Sequence, residues 1–234
     1  MKFPNLNPFL GNSGSGGLAR YVEGFFMNIG ALLAANLLFV LCSLPLITAG
    51  PGLIALARIC CQACRGEAVS PVKDFFKALR QNLKAGLLLS ITLVPLYLGQ
   101  YLLFSSALGT YLAQGTGLPT LVLFAVGFLG LNCFAMYLLP LLAFLKADGG
   151  TVLRNAFLLC FAEGGWSLGG SITATVIFSL AVTALPNSLP LFILIFFSLL
   201  VYHWCFFGWK IVDKYVFTPY YEQHPEERET DNYA

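Results

Sequence analysis

The sequence predicts an all-α fold, a polytopic bundle of transmembrane helices, on three observations. Hydrophobic residues make up 58% of the 234 and charged ones only 10%, with a mean hydropathy of +0.77, whereas soluble domains carry about a quarter charged residues. The apolar residues fall in long charge-free blocks rather than amphipathic stripes. The lysines and arginines gather in alternate connections between those blocks, as they do where short loops are retained on the cytoplasmic side.

Crossing the hydrocarbon takes about 20 apolar residues in a helix. Phe25 to Leu46, Ala85 to Leu108, Thr120 to Leu145 and Leu189 to Trp209 meet that length without one Asp, Glu, Lys or Arg. Leu168 to Leu185 is shorter but equally uncharged, which makes five full spans. Between the first two, Pro45 and then Gly50, Pro51 and Gly52 are expected to break the helix arriving from the first span. The short helix that follows, 53–64, has Arg58 in its middle and is read as interfacial, re-entrant or a sixth span.

Two cytoplasmic amphipathic helices are expected. In Pro71 to Lys84, Ser70 stands at the N-cap and Pro71 at the first helical position. Val72, Phe75, Phe76, Leu79 and Leu83 form its apolar stripe, with Lys73, Lys77, Arg80 and Lys84 on the other side. The second, Thr151 to Glu163, is greasier and carries Arg154, Asn155 and Glu163. Arg65 to Lys84, Lys146 with Arg154, and Lys210 with Lys214 therefore face the cytoplasm, and the uncharged loops Gly109–Pro119 and Pro186–Ser188 face outward. The C-terminus is placed in the cytoplasm. Lys2, Arg20 and Glu23 suit an inside N-terminus, which six crossings would give, whereas five would put it outside. Residues 1–20 read as a flexible leader that is not a cleaved signal, 21–218 as one transmembrane domain, and 219–234 as a polar tail.

The run from Asn36 to Glu67 (NLLFVLCSLPLITAGPGLIALARICCQACRGE), followed by PVKDFFKALRQNLKAGLLL and later by Tyr137-Leu138-Leu139-Pro140-Leu141-Leu142 and Asn155-Ala156, resembles the YesL family. These are bacterial integral membrane proteins, chiefly of Gram-positive organisms. The resemblance covers most of residues 20–215 and implies an association with carbohydrate uptake, since family members tend to be encoded beside carbohydrate ABC importers and their two-component regulators. Where relatives tend to have basic residues before Arg-Gly-Glu, this chain has Cys60, Cys61 and Gln62, which weakens any contact carried by that charge.

Few residues point to chemistry. Cys61-x-x-Cys64 has metal or redox spacing, but no second pair completes four ligands, so incidental thiols on a helix are the better account. His203 is an ionisable group inside a span, where function is the default hypothesis, yet no acidic partner lies within any span, and a neutral imidazole bonded to a neighbouring helix is the better account. Asn36, Gln100 and Asn132 are uncharged polar groups, too little for an ion-coupled carrier. Pro140 is a candidate kink. Gly165 and Gly169, like Gly127 and Gly130, are expected to serve internal helix packing rather than a partner's helix. Neither a Walker glycine loop nor a His-Glu-x-x-His helix is present, and no nucleophile elbow is expected.

The expectation is thus non-enzymatic, without metal, cofactor or nucleic acid. Its partners are the lipid bilayer and the permease subunits and ATPase of an importer. Lys73, Lys77, Arg80, Lys84 and Arg154 are the candidate lipid or partner contacts. Because the chain lacks the Glu-Ala-Ala pattern by which permeases engage their ATPase, it is not read as a core permease. An accessory scaffold or modulator in the bacterial plasma membrane is the leading expectation, ahead of an independent small-solute transporter or channel and a sensory partner of a two-component kinase.

Overall fold

A computed structural model describes residues 17–145 and 147–223; Lys146, the leader before Gly17 and the tail after Gln223 lie outside the described residues. The elements are α1 (Gly17–Met27), α2 (Ile29–Ser43), α3 (Ala49–Cys64), α4 (Pro71–Gln81), α5 (Leu83–Gln114), α6 (Leu118–Phe144), α7 (Gly149–Ala162), α8 (Gly164–Thr183) and α9 (Leu189–Gln223). Two π-helical turns, Phe192–Phe196 and Asp213–Phe217, interrupt α9. No strand occurs among the described residues.

Helices α5, α6, α8 and α9 are long and apolar enough to cross a membrane. Only 22% of the apolar window of α5 is buried, and Leu88, Ile91, Leu123, Val126 and Leu180 lie bare on the outside of the bundle. Water would not cover such a surface, so the protein is membrane-embedded. The four helices run alternately up and down, and Gly115 and Gly117, both at positive φ, supply the left-handed turn between α5 and α6. The starts of α5 and α8 and the ends of α6 and α9 thereby share one end of the bundle, called the basic end for the lysines and arginines there.

The first expected span is not one helix. Met27 and Ile29 flank a bend of 69° at Asn28, whose side-chain amide donates to the Gly24 carbonyl at 3.0 Å. Tyr21 packs edge-on against Phe206, while Asn36 bonds to Phe192 and Ile193, about 21 Å further along α9 at 1.5 Å per residue. The chain then turns through Leu44–Thr48, with Leu46 at a φ of 52°, and Gly50 abuts Gly86 in the first turns of α5. The bent pair α1–α2 thus reaches into the bundle and returns to the basic end. Counted as one span it would make five; by its contacts it leaves the start of α1 and the start of α3 at the same end.

The Gly50-Pro51-Gly52 break is corrected. Helix α3 begins at Ala49 and runs straight through these residues, because Pro51 falls in the first turn, where its missing N–H costs no intrahelical bond. The break lies earlier, around Pro45. Every residue of α3 is buried except Leu53 and Gln62, which are half-buried, and α2, α4, α5, α6 and α9 surround it. Its two ends meet Gly86 and Trp209, both at the basic end. This helix is the hub of the fold, neither exposed at an interface nor a sixth crossing.

Backbones meet most closely where α3 crosses α5. A Cβ added to Gly50 would run into the Gly86 carbonyl, and one on Gly86 into the Pro51 backbone. Ser90 clamps the crossing: its hydroxyl accepts from the Gly50 amide at 2.7 Å and donates to the Ile47 carbonyl at 2.6 Å. Farther from the basic end, Asn132 accepts from Tyr97 at 3.0 Å and donates to the Phe128 carbonyl at 3.0 Å, joining α5 to α6. Pro140 is buried inside α6, which continues to Phe144.

Candidate interaction surface

The expected Pro71–Lys84 helix divides at Asn82, so Leu83 and Lys84 open α5 instead. Ser70 occupies the N-cap place without a side-chain cap; Asp74 reaches back to accept from the Ser70 amide at 2.9 Å. The anticipated apolar stripe also splits. Phe75 and Ala78 are buried in a helix that packs on α3 and α2, whereas Val72 (56% exposed) and Phe76 (39%) face outward with the exposed Lys73, Lys77 and Arg80. The neighbours cover one side of α4, with Phe75 and Ala78 buried and Leu79 half-buried, so the outer face mixes cations with apolar side chains. Val72, Lys73, Phe76, Lys77, Arg80 and Gln81 line an open groove of about 540 Å³. Lys84 is exposed one helical turn beyond Arg80.

Behind that face, α3 is locked to the ends of α6 and α9 by two buried arginines. Arg58 donates to the Ala143 carbonyl at 3.2 Å and lies over the Phe144 ring. Arg65 lies 4.8 Å from the Trp209 ring centroid and 5.6 Å from that of Phe144, and pairs with Glu67. Cation–π attraction strengthens as water is excluded. Burial pushes the Glu67 carboxyl up from its ordinary range, with Arg65 and Arg58 pulling it down.

The second amphipathic helix, α7, begins earlier than expected because Asp148 is its N-cap, accepting from the Thr151 amide at 3.0 Å and the Thr151 hydroxyl at 2.6 Å. Those hydrogen bonds, the hydroxyl's first, hold the Asp148 carboxyl below its usual range. Sequence reading missed this residue, although an Asp ahead of Gly-Gly-Thr is a helix-start signal. Arg154 is exposed on α7 beside Leu153, Phe157, Leu158 and Phe161. It is not brought together with the α4 cations in the groove.

The glycine expectations are corrected in part. A Cβ on Gly165 or Gly169 would meet nothing within 4 Å, nor would one on Gly130, so these do not serve internal packing. That role falls to Gly170, against Phe207 and Met136, to Gly208, against Met136, and to Gly127, against Gln100. Gly165-Trp166-Ser167-Leu168-Gly169 does have the Gly-x-Ser-x-Gly spacing that the expectation passed over. It lies within helix α8, and the Ser167 hydroxyl bonds to Tyr137 at 2.5 Å and to the Glu163 carbonyl at 3.1 Å. A nucleophile elbow needs a strained strand-to-helix turn, so Ser167 reads as a packing residue.

His203 bonds through Nε2 to the Thr173 hydroxyl at 2.8 Å and lies 3.1 Å from the Gly170 carbonyl, both on the neighbouring α8. Cys60, Cys64 and Cys205 are buried along the contact of α3 with α9, close to the carbonyls of Ser198, Tyr202 and Ala57. Among the described residues no group of three or more His, Cys, Asp or Glu is placed to hold a metal.

Helices α2, α3 and α4 with most of α5 follow one another in the chain as the second arm of the bent pair, the buried hub, the basic face and the first long helix. Residues 32–107 match the family model described as "Protein of unknown function, DUF624". The DUF624 match contains the whole α4 groove and the α3–α5 crossing, and leaves α1 and everything beyond the first long helix outside it. No curated protein and no solved structure matches the chain.

Proposed function

We propose that the protein is an accessory subunit, a scaffold or modulator, that packs against the permease subunits of a bacterial carbohydrate ABC importer. It sits in the plasma membrane with the basic end, the C-terminus included, in the cytoplasm. The observation that carries this reading is the outer face of α8. Gly165 and Gly169 leave open space there, with Leu168, Ile172 and Val176 exposed along the same side, which is the surface on which another helix can approach closely. Inside the bundle, by contrast, Asn36, Gln100, Asn132 and His203 each bond to a neighbouring helix. Their polar capacity goes into holding this fold, which favours an interaction protein over a solute carrier and over an enzyme.

The importer as partner rests on the resemblance to YesL, whose relatives belong to DUF624, and the orientation rests on the placement of Lys and Arg. Mild-detergent purification of the tagged protein, with identification of co-purifying subunits, tests the proposal. Recovery of permease subunits, lost in a Gly165→Leu/Gly169→Leu variant, supports it. Recovery of the protein alone from membranes rich in the importer, or solute flux into proteoliposomes holding only this chain, overturns it.

A further inference from the structure

We propose that the groove on α4 is a binding site for the phosphate headgroup of an anionic phospholipid, with Lys73, Lys77 and Arg80 at the phosphate and Val72 and Phe76 at the acyl boundary. This inference rests on the membrane reading alone and stands or falls independently of the importer. Three observations carry it.

The three cations share one helical face at spacings of four and three residues, and they line a single open groove with Val72 and Phe76. The face is held in place from behind, since Phe75 and Ala78 are buried. Directly after the groove in the chain comes a surface made for hydrocarbon. Only Asn82 separates α4 from α5, and Leu83, Leu87, Leu88 and Ile91 on the first turns of α5 are all exposed. A headgroup in the groove would lay its acyl chain along about 12 Å of apolar helix surface.

The chemistry favours lipid over protein. Lysine is depleted at the centre of protein interfaces, and here Lys73 and Lys77 alternate with single apolar side chains instead of framing an apolar patch. A free anion would be recognised by the cations alone and would leave Val72 and Phe76 without a role. An anionic lipid uses both, the cations through their attraction to headgroups and the apolar pair through burial at the interface.

The test uses the full chain in phosphatidylcholine vesicles carrying trace spin-labelled phosphatidylglycerol or spin-labelled phosphatidylcholine. The immobilised fraction of each lipid is read by electron paramagnetic resonance. The expected result is a preference for phosphatidylglycerol that falls by up to about fivefold for each cation neutralised in Lys73→Gln, Lys77→Gln and Arg80→Gln. That preference should survive Arg154→Gln, which lies outside the groove, and weaken in about 0.5 M salt. The three substituted side chains are exposed, and an unchanged melting temperature in detergent confirms that the triple variant is folded. Phe76→Ser should lower retention of the labelled phosphatidylglycerol as well. An equal preference in the triple variant, or none in the wild type, overturns the proposal. So does a preference abolished by excess inorganic phosphate and untouched by Phe76→Ser, which would mark a site for a free anion. Loss of preference in Arg154→Gln equal to that in the triple variant would also overturn it.

Discussion

Replacing Gly86 by alanine adds one methyl group at the crossing of α3 and α5. The new Cβ would lie 2.6 Å from Pro51 Cγ and closer still to the Pro51 backbone, where ordinary carbon contacts are about 3.5–4.0 Å. Backbone cannot rotate aside, so the two helices must part by about 1 Å. Overpacking of this kind costs about 1–3 kcal/mol. Parting also stretches the buried bond from the Gly50 amide to Ser90, and that one buried group left unpaired costs about 1–3 kcal/mol more. A loss of about 2–6 kcal/mol is expected, a large share of the roughly 5–15 kcal/mol that holds a typical domain together. Thermal unfolding in detergent, followed by circular dichroism, reads it out. Gly99→Ala on the same helix is the control: its Cβ would meet open space, and its helix propensity improves by up to about 1 kcal/mol. If Gly86→Ala and Gly99→Ala unfolded at the same temperature, the close crossing and the central position of α3 would both be refuted.

Three further outcomes are expected. Asn36 donates to the Phe192 and Ile193 carbonyls and accepts from the Ser198 amide at 2.9 Å, so Asn36→Leu should destabilise the protein by about 2–4 kcal/mol. It should also speed hydrogen exchange at Ser198, and unchanged exchange there would contradict the bond that ties the Ser198 amide to Asn36. Arg65→Lys keeps the charge but loses the planar guanidinium over Trp209 and Phe144; a loss of about 0.5–2 kcal/mol with a shifted Trp209 fluorescence is expected, and an unaltered spectrum would sink the lock. The Asp148 carboxyl is depressed in the folded protein, so the start of α7 gains stability above the unfolded value of about 3.9 and loses it as pH falls through the lower folded value. An Asp148→Ala variant, which removes the acceptor for the Thr151 amide and hydroxyl, should therefore have a frayed first turn of α7 at neutral pH, and the difference from the wild type should shrink in strong acid, as read by the nuclear magnetic resonance shifts of Thr151.

Hydropathy and charge placement made the four long helices legible, because lipid exposure selects side chains block by block. What they could not show was direction inside the bundle. The bend at Asn28 falls on no proline; the Asn28 side chain bonds to the Gly24 carbonyl there, and α1 and α2 each pack on α9. Gly50-Pro51-Gly52 reads as the end of the helix arriving from the first span because such residues interrupt helix interiors, yet α3 starts ahead of them at Ala49; within its first turn Pro51 is harmless, and the two glycines let α5 and α2 come close. On α4 the basic residues were plain in the sequence, while the outward turn of Val72 and Phe76 followed only from which neighbours cover Phe75 and Ala78. Gly165 and Gly169 looked like internal glue because spacing carries no information about which side of a helix meets the bundle.

Helices α1–α2 and α3 enter and leave the bundle at the basic end, and among the described residues α5, α6, α8 and α9 are the helices that join its two ends. Single cysteines at Ala19, Ala68 and Thr116, all exposed positions, can be challenged with an impermeant maleimide on intact cells, with the native chain as the blank. The account expects labelling at Thr116→Cys at once, and at Ala19→Cys and Ala68→Cys only after the membrane is opened. Labelling of Ala19→Cys together with Thr116→Cys on intact cells would contradict it.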